Sequence, residues 1–217
     1  MSAPCIVTIL IYCMFALGGH CGTIRQVIYD FDETITYQHV FQELRHLNGQ
    51  GNRISMHEQV AALSDCSSAR VVEMFGGRAR LRQLHEHWKY LTTNGVDIGV
   101  IASYSSREVI IMALERVDLM QYFSADKIVG REDEAMWQGD KLRAFKIKKI
   151  AQHFNQFPSG KRLFVDDDRR NMADAEQAGV AKAADFAIGP IYHGLTEPQL
   201  AWIRDQCDIS ADHSSNM

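Results

Sequence analysis

Apolar residues along this chain come in two patterns. Short continuous runs occur at Gln26-Val27-Ile28-Tyr29, at 96–102 (VDIGVIA), at Lys127-Ile128-Val129-Gly130, at Leu163-Phe164-Val165 and at 184–188. Such runs, bounded by turn residues, read as strands buried on both faces. Between them apolar positions recur every three or four residues, as one face of a helix requires. Val40, Phe41, Leu44 and Leu47 make one such face; Leu81, Leu84, Trp88 and Leu91 make another, ended by Asn94-Gly95. Further helices are predicted over 106–119, over 142–154 as a basic amphipathic segment, over 173–178 up to Gly179, and over 196–207. Ser55 with Glu58, and Thr196 with Gln199, have capping-box spacing. Val71 to Phe75 is one more short apolar stretch, ending at the hinge Gly76-Gly77; 48–52 (NGQGN) reads as a turn and 131–140 as a polar loop.

Strands that alternate with helices predict an α/β fold, a parallel Rossmann-like sheet wrapped in three layers. The segment between the first strand and the hinge predicts a small helical insertion. The chain therefore divides into residues 1–22, a core of 23–35 and 77–210, an insertion of 36–76 and a polar tail of 211–217. With 217 residues, 46% hydrophobic and 23% charged, this is one sizeable domain and its insertion. A net charge of -4 leaves no basic footprint for nucleic acid. Five cysteines without a CxxC pair support neither a zinc ribbon nor a thioredoxin-type site, and Cys66 and Cys207 read as core thiols. Cys5 to Leu17 is almost wholly apolar, yet shorter than the ~20 residues that span a bilayer. It has the length of a signal peptide without the basic residues that precede one. Two readings stand: a signal peptide leading to the secretory pathway (or to membrane contact if retained), or a buried N-terminal strand in a cytoplasmic protein.

Chemistry gathers where strands end. Parallel α/β sheets bind ligands at the carboxyl ends of their strands, and three such ends here carry Asp30 with Asp32, Ser103, and Asp166 with Asp167. Hard oxygen ligands of this kind suit Mg²⁺, which screens an anionic phosphate from an attacking carboxylate. Asp30 can attack phosphorus, and Asp32 can protonate the leaving group and later deprotonate water. Asp167 with Asp166 completes the metal site, and Ser103 donates to a phosphate oxygen. A lysine is needed to balance the charge. Each feature has a plainer reading: an acidic helix cap, a turn serine, a solvated lysine face. Three consecutive aspartates at a strand end are costly without a cation, however, because like charges repel.

The chain resembles the haloacid dehalogenase (HAD) superfamily. DFDET at 30–34 matches its DxDx[TV] motif, IAS ending at Ser103 its second motif, and FVDDDRRN at 164–171 its fourth. Lys146, in K-x-x-x-I, fits the lysine motif best, with Lys141, Lys148 and Lys149 as rivals. The resemblance spans 25–188. It implies Asp30 as nucleophile and metal ligand, and Asp32 as acid/base with its carbonyl on Mg²⁺. It implies Asp167 as the principal metal acid, with Asp166 beside it and Asn171 in support. Thr34 steadies the loop and belongs to the phosphate site with Ser103 and Lys146. The insertion would act as a cap.

The reaction expected is Mg-dependent phosphomonoester hydrolysis through an aspartyl-phosphate. The substrate would be a small phosphorylated metabolite or a phosphoprotein. A dehalogenase needs no acid such as Asp32, and a phosphonate-cleaving enzyme would want a cap lysine, which 37–76 lacks. The rival reading is a non-catalytic HAD-like binding or scaffold protein. His39 is a further candidate for substrate contact, whereas Ser105, Ser106 and Arg107 read as a helix cap and Asp168 as a helix-entry residue.

Overall fold

In a computed structural model of the chain, residues 23–48, 54–131, 139–184 and 193–207 are described, 139–142 by their backbone alone. The apolar run after Arg25 forms β1 (Gln26–Asp30), buried along its whole length. Helices α1 (Val40–Leu47), α2 (Met56–Asp65) and α3 (Ser68–Met74) follow, then the long α4 (Gly77–Thr93), β2 (Asp97–Ser106) and α5 (Arg107–Arg116). The chain continues through β3 (Ile128–Arg131), α6 (Gly139–His153), β4 (Arg162–Val165), α7 (Arg169–Gln177), β5 (Lys182–Ala183) and α8 (Glu197–Gln206). The five strands are all parallel, in the order β3-β2-β1-β4-β5. This is the α/β, Rossmann-like class that the alternation predicts. The chain builds outward from β1 to β3 and then crosses back to β4, so the strand order reverses beside β1. Open α/β sheets hold their ligands in the crevice at such a switch point.

Register brings the strand ends level. Asp30 pairs with Ile101 of β2, and Tyr29 with Val165 of β4, so Asp30 and Asp166 leave the sheet side by side. Packing locks this arrangement. Tyr29 sits edge-on to Trp88 of α4, which sits edge-on to Phe123. Phe154, just past α6, packs against β2 at Gly99, where an added Cβ would come within 2.0 Å of its ring. That glycine lets α6, and Lys146 with it, come close to the sheet.

The helices of the insertion share the core's cluster: Phe41, Leu44, Leu63, Val71, Met74 and Phe75 are all buried in it. Ser55 accepts the Glu58 N–H and Glu58 accepts the Ser55 N–H, closing the capping box read from the sequence. Four expectations shift. Leu47, placed on the buried face of α1, is half exposed at the last residue of that helix. Strand β2 runs beyond Ser103 to Ser106, and α5 starts at Arg107 with Ser106 as its cap. Pairing of the last strand begins at Lys182, opposite Leu163, and continues with Ala183 opposite Phe164; 185–188 lie outside the described residues. Arg131, read as loop, belongs to β3. The apolar segment within 1–22, most of the turn at 48–52, most of the polar loop at 131–140 and the tail at 211–217 also lie outside them. Among the described residues no helix is long and apolar enough to cross a membrane, and Cys66 and Cys207 are free thiols.

Candidate active site

Beyond β1 the chain enters one wide turn, Phe31–Ile35, closed by the Thr36 N–H donating to the Phe31 carbonyl at 3.1 Å. Within it Asp32 keeps an extended backbone, while Glu33 takes φ 59°, a left-handed conformation that costs a non-glycine residue ~1 kcal/mol. The turn is pinned from three sides. Arg80 of α4, buried, donates to the carbonyls of Ile35 (2.6 Å), Phe75 (2.9 Å) and Thr34 (3.2 Å). The Gly194 N–H donates to the Glu33 carbonyl at 2.8 Å, and the Leu195 N–H to that of Thr34 at 3.0 Å. Gly194, at φ 84°, leaves room for the Arg80 guanidinium that any Cβ would strike at 2.3 Å. The Thr36 hydroxyl accepts the Glu33 N–H at 3.1 Å.

The turn, the end of β2, α6 and the start of α7 enclose a cleft of about 270 Å³. Asp30, Asp32, Ser103, Lys146 and Asp167 all line it, together with Glu33, His39, Tyr104, Arg143, Asp168, Arg170 and Asn171. Lys146 is the lysine that turns inward. Its Nζ is 2.5 Å from Asp30 Oδ1 and 2.7 Å from Asp166 Oδ2. Lys148 is exposed and Lys149 lies over the Phe145 ring, so neither reaches the cleft; the Lys141 side chain is outside the described residues. Asp166 is fully buried behind the cleft wall. Its Oδ1 accepts from the Asp168 N–H and from Asn171 Nδ2, both at 2.9 Å. Asp30, Asp166 and Asp167 each offer an oxygen within 4.8 Å of the others. The carboxylate of Asp32 is not in that group. Thr34 is fully buried and does not line the cleft; its Oγ1 accepts the Asp167 N–H at 3.0 Å, a loop-steadying bond to backbone of the kind the resemblance implies. It ties the first turn to the β4 end. Asp168 caps α7 by accepting the Arg170 N–H, the helix-entry role read for it.

The two catalytic candidates, two residues apart, meet opposite environments. Burial raises the Asp30 carboxyl; Lys146 opposes this, and Asp166, Asp167 and Asp32 add to it. Burial with Asp166 pushes Asp167 up to about 6. Burial works against the Lys146 charge too, but Asp166 and Asp30 outweigh it and hold the ammonium above its ordinary range. At Asp32, burial is outweighed by His39 and by the groups that bond to the carboxylate, leaving it below the usual range. Ser105 Oγ donates to Asp32 Oδ2 at 2.9 Å, the Phe41 N–H to Oδ1 at 3.3 Å, and His39 Nδ1 stands 3.3 Å from Oδ1. Burial likewise works against a charged His39, and Asp32 overrides it, raising the imidazole.

Three of these groups escaped sequence reasoning. Ser105 was read as a cap, but the strand's run past Ser103 returns a second serine to the cleft side. Arg80 lies four residues before Leu84 and so belongs to the buried face of α4, a signal the apolar pattern hides. Nothing in the local sequence marks Arg143.

No family model matches the chain, and no curated protein does. Solved structures similar to it include a HAD-superfamily hydrolase from Ehrlichia chaffeensis, at 13% identity over 86% of this chain and 98% of that one, TM-score 0.42. Another is the HAD domain of the effector protein Lem4 from Legionella pneumophila, at 16% identity over 88% and 98%, TM-score 0.47.

Proposed function

We propose that the chain is a HAD-type phosphomonoester hydrolase working through an aspartyl-phosphate, with Asp30 as nucleophile and Asp32 as acid/base. The observation that carries this reading is the cluster at the sheet's switch point. Asp30, Asp166 and Asp167 converge, the first two on Lys146, with Asp32 at the same cleft but held by different partners. Three convergent carboxylates met by one ammonium leave excess negative charge, and Asp167 is pushed up to about 6 by it and by burial. A hard divalent cation fits that donor set. Asp30, Asp167 and Asp166 would hold it, with the Asp32 carbonyl that the resemblance adds. Bound there, Mg²⁺ would supply Lewis-acid screening of phosphate charge.

The chain's own groups then divide the work. Lys146 holds Asp30 Oδ1 and so orients the other carboxylate oxygen for attack. That oxygen forms the bond to phosphorus as the bond to the leaving oxygen breaks, and Asp32, which has to take up a proton for this step against the lowering set by His39, delivers it to the leaving group. In the second half a water adds to phosphorus and gives its proton to the Asp32 carboxylate. The Asp30–phosphorus bond breaks, releasing inorganic phosphate and restoring both aspartates. Ser103 and Lys146 are placed to donate to phosphate oxygens, where positioning and electrostatics supply most of the rate. The open cleft suits a small phosphorylated metabolite or a phosphorylated side chain of a protein.

The test is hydrolysis of 4-nitrophenyl phosphate by the full chain with Mg²⁺ and after chelation, with acid-quench trapping of a phosphorylated Asp30. Turnover in a folded sample that needs neither a divalent cation nor Asp30 would overturn the reading. No turnover under any metal would leave the scaffold role as the better account.

A further inference from the structure

The group that sets Asp32 apart from Asp30 comes largely from the segment that leaves the catalytic turn. His39 and the Phe41 N–H both reach Asp32 Oδ1, and both lie at the start of α1 in the insertion. The third partner, Ser105, comes from the far end of β2 and takes the other oxygen. The His39 ring is itself held: its centroid lies 5.4 Å from Tyr104, edge-on, and 6.2 Å from Phe41, and the Phe41 and Tyr104 rings lie 5.6 Å apart. An exposed imidazole would sample several rotamers; this one is walled on two sides, with its Nδ1 3.3 Å from the carboxylate oxygen.

We infer that His39, backed by Tyr104 and Phe41 and working with Ser105, is a positioning residue that fixes the Asp32 carboxyl at the angle from which it serves the leaving group. The inference rests on the phosphatase reading. It gives the insertion a role at the site: its first helix and the residue that precedes it supply two of the three contacts that aim the acid/base. The arrangement follows from distance along the chain. A carboxylate two residues past the nucleophile, on a turn with a left-handed residue beside it, has no rigid secondary structure of its own to set its side chain. Neighbours have to supply the restraint.

A positioning role of this kind predicts a dependence on leaving group. A poor leaving group needs the proton from Asp32, whereas a good one departs without it. The full chain, with Mg²⁺, is assayed on phenyl phosphates of one shape whose phenols span a range of acidity, from 4-nitrophenyl to phenyl to 4-methoxyphenyl. The quantity read is kcat/KM, which covers the steps up to departure of the phenol. His39→Ala is expected to lose about 100-fold on phenyl phosphate, the low end of what general acid catalysis contributes, and under about tenfold on the 4-nitrophenyl ester. His39→Gln, which keeps a donor, is expected to recover part of the loss on the poor leaving groups. Ser105→Ala, which leaves the insertion untouched, is expected to steepen the leaving-group dependence in the same direction; it also stands in if His39→Ala fails to fold. Losses equal across the series, or wild-type values throughout, would overturn the inference while leaving the phosphatase reading intact. A wild type inactive on every ester with every divalent cation would overturn both.

Discussion

Two halves of one cleft treat their aspartates in opposite ways. On one side Asp30, Asp166 and Asp167 project from adjacent strand ends of a rigid sheet into a buried, carboxylate-rich corner met by Lys146. On the other, Asp32 sits on a turn and takes its contacts from His39, Phe41 and Ser105. The first side accumulates negative charge, which raises Asp30 and Asp167. The second distributes donors around a single carboxylate and lowers it. The sign of this split suits Asp32 as the base of the second half-reaction and leaves Asp30 to be ionised by a bound cation. The comparison also shows that these roles come from different structural levels: sheet register for one aspartate, loop and insertion packing for the other.

The largest break expected is at Asp30. Asp30→Asn removes the nucleophile while keeping the shape, and turnover of an aryl phosphate is expected to fall by about 10⁴-fold or more. Rates near wild type in a folded sample would remove Asp30 from the chemistry. Asp32→Asn should cost about 10²- to 10³-fold in steady-state turnover. With a good leaving group the phosphoenzyme should still form and then persist, seen as acid-stable incorporation of labelled phosphate; equal loss of both half-reactions would contradict the division drawn here.

Metal binding sharpens the contrast. Mg²⁺ at about 100 times its dissociation constant is expected to stabilise the wild type by about 2.7 kcal/mol. Asp167→Asn should abolish most of that gain in thermal or chemical unfolding, and Asp32→Asn should keep it. A loss of the same size in both variants would merge the two halves.

The smallest effect is a pair of opposed pH slopes. With Asp167 raised to about 6 from 3.8, the metal-free folded chain keeps that proton where the unfolded chain has released it. Stability of the metal-free protein should therefore fall as pH rises from about 4 through about 6. The cation needs the carboxylate, so its affinity should instead weaken as pH drops below about 6, by up to about tenfold per unit. Urea titration with and without Mg²⁺ at pH 5 and 7.5 reads both slopes; parallel slopes would count against Asp167 as a ligand.

Much of this was legible in the linear chain. The strand–helix alternation, the capping box at Ser55 and Glu58, and the gathering of Asp30, Ser103 and Asp166-Asp167 toward one side of the sheet all follow the pattern, although β2 runs three residues past Ser103. These features are local, or follow from the rule that parallel strands gather their carboxyl ends. What escaped was long-range or atypical for its pattern. The partner of Thr34 was one such feature: the resemblance implies a bond to backbone, and the fold makes it the Asp167 amide, from a strand end far along the chain. Ser105 lies on a stretch of β2 that reads as a helix cap in the sequence, so its side of the strand was not counted. Arg80 occupies a helix position that a polar residue seldom takes, and only the carbonyls of Thr34, Ile35 and Phe75 explain it.

By itself, then, the sequence determined the class of fold and the chemical types present at its strand ends, because hydrophobic period and turn chemistry act over a few residues. Tertiary structure decided which lysine turns inward and which partners each aspartate keeps. Lys146, Lys148 and Lys149 differ in charge not at all and in position by only a few residues along one helix. Only the close seating of α6 against Gly99, and the placement of Asp30 beside Asp166, gives one of them two carboxylates to meet.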